Sequence, residues 1–269
     1  MSLNIAIAGV AGRMGGALIR AASQAAAELR VVGGSERAGS AALGRDLGAL
    51  AGAGELGVAA TGDVRAAAAN ADVWIDFTTP DATLAALDAL AETKVRAAIV
   101  GTTGLTPDQE AAIAAHARRI AIVRSGNFSL GVTLLASLVR EAAAKLGKGW
   151  DIEIVETHHH RKVDAPSGTA LLLGEAAAQG RGKTLRDLRI PPRDGITGAR
   201  PEGGIGFTSI RAGGVIGEHD VIFGAEREVL TLSHSALDRA VFADGALAAA
   251  IWAADKPPGL YAMQDVLGL

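Results

Sequence analysis

The sequence predicts an α/β protein: a Rossmann-like, doubly wound parallel sheet, plus a second α+β domain with a mixed sheet. Three observations lead there. Short apolar runs alternate with helical patterns through the N-terminal part, which implies βαβ units and a parallel sheet covered on both faces. A glycine-rich turn, Gly9 to Gly15, follows the first run. Beyond Gly126 the pattern changes to longer helices and strand-like runs with turn residues between them, as in a mixed or antiparallel sheet.

The elements follow in order. Leu3–Gly9 is a short apolar run ending in glycine and reads as a strand buried on both faces. Arg13–Ala27 reads as a helix and Leu29–Ser35 as a second strand. Residues 39–57 are glycine-rich and expected to be loop, and 63–70 a short helix. Asp72–Thr78 is a strand. Pro80–Thr93 is a helix with Pro in its first turn. Arg96–Thr103 is a strand, and Thr106–Arg119 is a helix with Thr106 as N-cap and Pro107 at the first helical position. Ile120–Arg124 is a further strand. Then come a helix over Leu130–Leu146, a strand over Asp151–His159 and a helix over Ser167–Gln179. Residues 181–206 read as a long loop rich in Gly, Pro and Arg. Strands are expected at 206–211, 219–223 and 228–233, and a last helix at 236–254. The domain limits are placed at 1–126, 127–240 and 241–269, the last segment being a helix that returns to the first domain.

Bulk composition narrows the function classes. The 269 residues are 49% hydrophobic and 20% charged, which suits a folded soluble protein. A net charge of −3 argues against a nucleic-acid surface. The absence of cysteine excludes disulfides, thiolate metal sites and a cysteine nucleophile. No uncharged apolar stretch has the roughly 18 residues of a membrane span. The N-terminal MSLNIAIAG lacks the basic region of a secretory signal. A cytoplasmic protein is expected.

In the glycine turn, Gly9 suits a tight turn, Gly12 a close approach of backbone to pyrophosphate, and Gly15 close packing of helix on strand. The helix start behind them would hold phosphates. Ala11 stands at the middle glycine of the usual G-x-G-x-x-G spacing, and the strand before and helix after supply the context. At the end of the second strand, Glu36 suits ribose hydroxyls and Arg37 a 2′-phosphate, so either NADH or NADPH is expected. Two later strand ends, Gly101-Thr102-Thr103-Gly104 and Ser125-Gly126-Asn127-Phe128, carry small polar residues where an open α/β sheet binds ligands.

Three of the six histidines stand together in ETHHHRKVDAPSGTA, residues 156–170. Were the strand to continue, His158 and His160 would share one face and His159 the other. A metal cluster is disfavoured, because no helical pair exists and Arg161 and Lys162 would repel a divalent ion. A solvated polar loop is the bland alternative. An anion site with acid–base chemistry fits better, with Lys162 as fixed charge and Asp164 placed to orient a cation or close the turn. Ser167 is placed as the N-cap of the next helix, so that Gly168 and Thr169 form a second anion site at its start.

This block resembles the dihydrodipicolinate reductase signature, E-x-H-H-x-x-K-x-D-A-P-S-G-T. AGVAGRMG, DFTTP, GTTG, SGNFSLGV, RAGGVIGEHDVIF and FADGALAAAIW resemble the same family, in order, over nearly the whole chain. The resemblance implies an NAD(P)H-dependent step of lysine and diaminopimelate biosynthesis acting on a small dicarboxylate. It implies His158 as general acid/base and Lys162 as second proton donor and charge partner. It implies substrate contacts from His159, Gly168 and Thr169. It implies a cofactor lined by Gly9, Val10, Ala11, Gly12, Arg13, Met14, Glu36, Arg37, Gly101, Thr102, Thr103, Ser125, Gly126, Asn127 and Phe128. A homotetramer through the second domain is implied likewise. The role of His160 is left open. Two rivals remain: another Rossmann reductase with a different polar constellation, and a dinucleotide-sensing regulator, which should carry a partner-binding module.

Overall fold

The computed structural model describes residues 2–269. They form two compact units: one made of the residues up to Ser129 with Ala240–Gly268, the other of Leu130–Arg239.

The first unit holds six parallel strands: β1 (Leu3–Ala8), β2 (Leu29–Ser35), β3 (Val73–Asp76), β4 (Ala97–Val100), β5 (Ala121–Arg124) and β10 (Gly259–Tyr261). Their order is β10-β5-β4-β3-β1-β2. Chain direction across the sheet therefore reverses between β1 and β3, the switch point at which open α/β sheets bind ligands. The central strands are apolar on both faces, and all four residues of β3 and of β4 are buried. Their cover comes from α1 (Arg13–Gln24), α3 (Val64–Ala68), α4 (Pro80–Leu90), α5 (Pro107–His116) and the alanine-rich α9 (Ala240–Ala253). Thr106 caps α5 in a reciprocal box with Gln109, and Pro107 fills the position where a missing N–H costs nothing.

The second unit opens with α6 (Leu130–Leu146). Then follow β6 (Asp151–His158), α7 (Gly168–Gly180), α8 (Leu185–Leu188), β7 (Ile205–Arg211), β8 (Gly217–Gly224) and β9 (Val229–Ala236). The sheet is mixed, in the order β7-β6-β8-β9, with β6 parallel to β7 and antiparallel to β8. On β6 the residues Ile152, Ile154, Glu156 and His158 alternate inward. The first two join a core with Leu135, Val139, Leu173, Val221 and Phe223. Two polar residues thus end an otherwise apolar face, with His219 of β8 directly opposite Glu156.

Several expectations are corrected. Within 39–57 the chain forms α2 (Leu47–Ala51), because Asp46 caps Ala49 and also accepts the Leu56 and Val58 amides. The long loop after α7 contains α8, capped reciprocally by Thr184 and Asp187. Residues 236–239 are not helical: Ala236 ends β9 and the last long helix begins at Ala240. β10 and α10 (Met263–Leu267) were not anticipated. The strand carrying the histidines stops at His158, so His158 and His160 do not share a sheet face.

Candidate active site

In the first unit the turn after β1 is built for close approach. Gly9 has φ +65°, a left-handed conformation that a side chain would strain. A Cβ at Gly15 would lie 2.3 Å from the Gly9 carbonyl oxygen, so α1 reaches the strand end only because that residue is glycine. Gly12 is the N-cap of α1 and offers no side-chain cap, so no hydroxyl or carboxylate competes for the helix amides. Glu36, just after β2, lies against this turn and accepts the Ala11 amide at 3.0 Å. Its other oxygen accepts the Arg37 amide at 3.1 Å. An acidic group beside a side-chain-free helix start fits a dinucleotide, whose pyrophosphate takes amides and whose ribose takes a carboxylate.

The other strand ends are ordered by a buried carboxylate that the sequence reading passed over. Asp76, at the end of β3, accepts the Thr78 amide at 2.9 Å and hydroxyl at 2.6 Å, and the Thr83 hydroxyl at 3.2 Å. Thr83 and Thr102 hydroxyls are 2.7 Å apart. The Thr102 side chain is thus held inside the fold, as are Val10 and Phe128, the latter edge-on to Phe77. Whatever these three offer a ligand comes from backbone. Ala11, Arg13, Arg37, Thr103 and Gly126 are exposed, while Met14, Gly101, Ser125 and Asn127 are half-buried. The Ser125 hydroxyl donates to the Asn127 carbonyl and accepts its amide, which shapes that turn.

In the second unit β6 delivers Glu156 and His158 to one face. His158 Nδ1 is 2.5 Å from Glu156 Oε2. Arg211, at the end of β7, donates to both Glu156 oxygens at 2.8 and 2.7 Å, and the Ser167 amide donates to Oε1 at 3.2 Å. Burial alone would raise the Glu156 pKa, but Arg211, Ser209 and His158 together bring it down to about 2. The carboxylate is ionised and can only accept, so Nδ1 of His158 carries a hydrogen. Behind it, the His219 ring stands edge-on to His158 with centroids 5.1 Å apart, and its Nε2 is 2.9 Å from Ser167 Oγ. Burial, then the His158 charge, lowers the His219 pKa to about 4, so this ring is neutral.

After His158 the chain turns. His159 Nε2 accepts from Arg239 at 3.1 Å, since a guanidinium can only donate. Partial burial and then the surrounding cations, Arg161 first, lower the His159 pKa. Its Nδ1 therefore bears the hydrogen of a neutral ring, and among the described residues that N–H has no partner. His160 leaves the cluster and holds the Gly213 carbonyl at 2.9 Å, tying this turn to the β7–β8 connection. Lys162 Nζ sits 2.7 and 2.8 Å from the Asp164 oxygens. Ser167 caps α7 through the Ala170 amide, as the sequence suggested. Open space surrounds Gly168, where a Cβ would meet no atom within 4 Å. Sequence reasoning missed Glu156, Arg211 and His219 as members of this group.

A doubly wound sheet opened by a glycine cradle, in one chain with a carboxylate-backed histidine and a lysine, fits an NAD(P)H-dependent oxidoreductase. Family models described as dihydrodipicolinate reductase, N-terminus and C-terminus, match residues 3–128 and 131–267. The chain belongs to the dihydrodipicolinate reductase family.

It is 55% identical over 270 residues to a 4-hydroxy-tetrahydrodipicolinate reductase of Allorhizobium ampelinum, covering 99% of this chain and 98% of that one. It is 53% identical over 268 residues to a protein of the same name from Rhizobium meliloti, with the same coverage. Among solved structures it resembles a dipicolinate-bound dihydrodipicolinate reductase from a Paenisporosarcina species, with TM-score 0.75 and 24% identity. That likeness covers 98% of this chain and 99% of the other, and speaks for the fold.

Proposed function

We propose that this protein reduces 4-hydroxy-tetrahydrodipicolinate to tetrahydrodipicolinate, with loss of the 4-hydroxyl as water, using NADH or NADPH. Two supports carry the reading: membership of the reductase family, and an ionised Glu156 2.5 Å from His158 Nδ1. The glycine turn, Glu36 and Arg37 would hold the dinucleotide, with backbone at Gly101–Thr103 and Ser125–Phe128 nearby in role. The bound nicotinamide supplies the hydride. His158 supplies the proton that quenches the negative charge built up on hydride addition. Lys162 offsets the charge of the dicarboxylate, and the Asp164 pair holds its ammonium in place until a substrate carboxylate takes a share. His159, oriented by Arg239, is assigned a carboxylate contact on the strength of the family resemblance. The start of α7 at Gly168 and Thr169 faces another with amides and the helix dipole. Two anchored carboxylates fix the ring orientation, which is where binding energy becomes rate.

The test is loss of reduced-nicotinamide absorbance on adding freshly generated substrate. Oxidation that depends on substrate is expected with at least one of the two cofactors. A protein that binds the dinucleotide and oxidises neither would be the sensor of the rival reading. We also propose a cytoplasmic homotetramer assembled through the second unit, on the strength of the family resemblance. Light scattering should give a mass of four 27.1 kDa chains, and a single-chain mass would dismiss the assembly.

A further inference from the structure

Glu156 has no obvious reason to be ionic. It shares its face of β6 with Ile152 and Ile154, and it is 1% exposed. Buried ion pairs are often no more stabilising than apolar side chains of similar volume, so a role beyond stability is the natural place to look. Both of its oxygens are fully engaged. Oε1 takes Arg211 Nη2 and the Ser167 amide, and Oε2 takes Arg211 Nη1 and His158 Nδ1. The ring of His158 is fixed on its other sides as well. His219 stands edge-on to it, interplanar angle 77°. Gly217 leaves Nε2 uncovered, where a Cβ would come within 3.1 Å.

We propose that Glu156, clamped by Arg211, is a positioning residue for the reduction: it holds His158 with its hydrogen on Nδ1, so that Nε2 is the atom that hands over the proton. The chemistry favours this assignment. An imidazolium that gives up its Nε2 proton is left neutral with hydrogen on Nδ1. Unassisted histidine prefers the opposite tautomer, with hydrogen on Nε2. Hydrogen bonding to the ionised carboxylate makes the Nδ1–H form the stable one, so proton transfer from Nε2 ends in a form that the protein already favours. Arg211 keeps the carboxylate ionised and stops it from rotating. Gly217 preserves room at Nε2 for the substrate. Neither Glu156 nor Arg211 needs to touch the substrate.

The inference rests on the reaction proposed above, and its test separates the two. Nitrogen-15 histidine NMR on the whole protein, with His158 assigned by its loss in His158→Asn, should show the Nδ1–H tautomer in the neutral ring. In Glu156→Gln/Arg211→Gln, which removes both charges of the pair together, the Nε2–H tautomer should dominate. There kcat should fall about 30-fold or more while KM stays within about threefold. Glu156→Asp, which keeps the charge, should recover part of the loss. A merely structural Glu156 would lower the melting temperature and leave the tautomer alone. A wild-type ring with hydrogen on Nε2, or a folded double variant with kcat within about threefold of wild type, overturns the proposal. If the wild type turns over no substrate, the reaction is wrong, and the tautomer still decides the positioning role.

Discussion

Replacing His158 with Ala is expected to lower kcat by roughly 10²–10⁴-fold, about 3–5 kcal/mol of transition-state stabilisation, and Lys162→Ala by a comparable factor. No neighbour among the described residues is placed to substitute for His158. His219 is neutral and held on Ser167, His159 is held by Arg239, and His160 is outside on Gly213. The fold should survive the first change, because Glu156 keeps Arg211 and the Ser167 amide as partners. It should also survive the second. Lys162 leaves behind Asp164, a side chain 56% exposed, and a pair of that kind is worth only about 0–1 kcal/mol. The two variants should differ in KM. His158→Ala should leave substrate KM within about threefold, whereas Lys162→Ala removes a charge facing a dianion and should raise it by about tenfold or more. Steady-state kinetics with circular dichroism as a folding control reads both. A kcat loss under about threefold in both variants would remove them from the chemistry.

Much of this was legible from local signals. β2 and α6 lie where the apolar pattern puts them, and the Thr106-Pro107 start and Ser167 cap needed only neighbouring residues. What escaped depended on distant partners. β10 is three residues long and exists because it pairs with β5. α2 depends on one carboxylate, Asp46, reaching amides ten and twelve residues ahead. α8, by contrast, had a readable signal in Thr184 and Asp187, spaced as a capping box.

The site divides the same way. His158, Lys162, Gly168 and Thr169 lie within one continuous stretch. Arg211 and His219 lie more than fifty residues on and meet Glu156 only through strand register. Glu156 itself was within reach. Alternation in Ile-Glu-Ile-Val-Glu-Thr-His sets it on the face of Ile152 and Ile154, and an acid on a buried face must have a cation nearby.

The same buried group should make the second unit acid-sensitive, and His219 should dominate the first part of the loss. Its pKa is about 4 in the fold, against 6.5 for an unburied ring, because burial disfavours the cation and His158 adds to that. Between those values the unfolded chain binds the proton and the folded one does not, so stability falls as pH falls, by about 3 kcal/mol once both pKa values are passed. Glu156 acts later. Its folded pKa of about 2, against 4.5, gives stability that is present above pH 4.5 and is lost as pH drops through 2.

From pH 7 to 4.5 the largest single change belongs to His219 and amounts to about 2 kcal/mol, and His159 and His234, whose pKa values burial also lowers, add to it in the same direction. His219→Gln keeps a polar group able to meet Ser167 Oγ but cannot take up a proton. Hydrogen exchange of the β6 and β8 amides, corrected for intrinsic rates, reports this unit rather than the whole chain. Wild-type protection should drop by about thirtyfold over that pH range, and His219→Gln should lose less than half of that on a logarithmic scale. Equal slopes in the two proteins would mean that His219 is already protonated in the fold, and the neutral ring behind His158 would have to be abandoned.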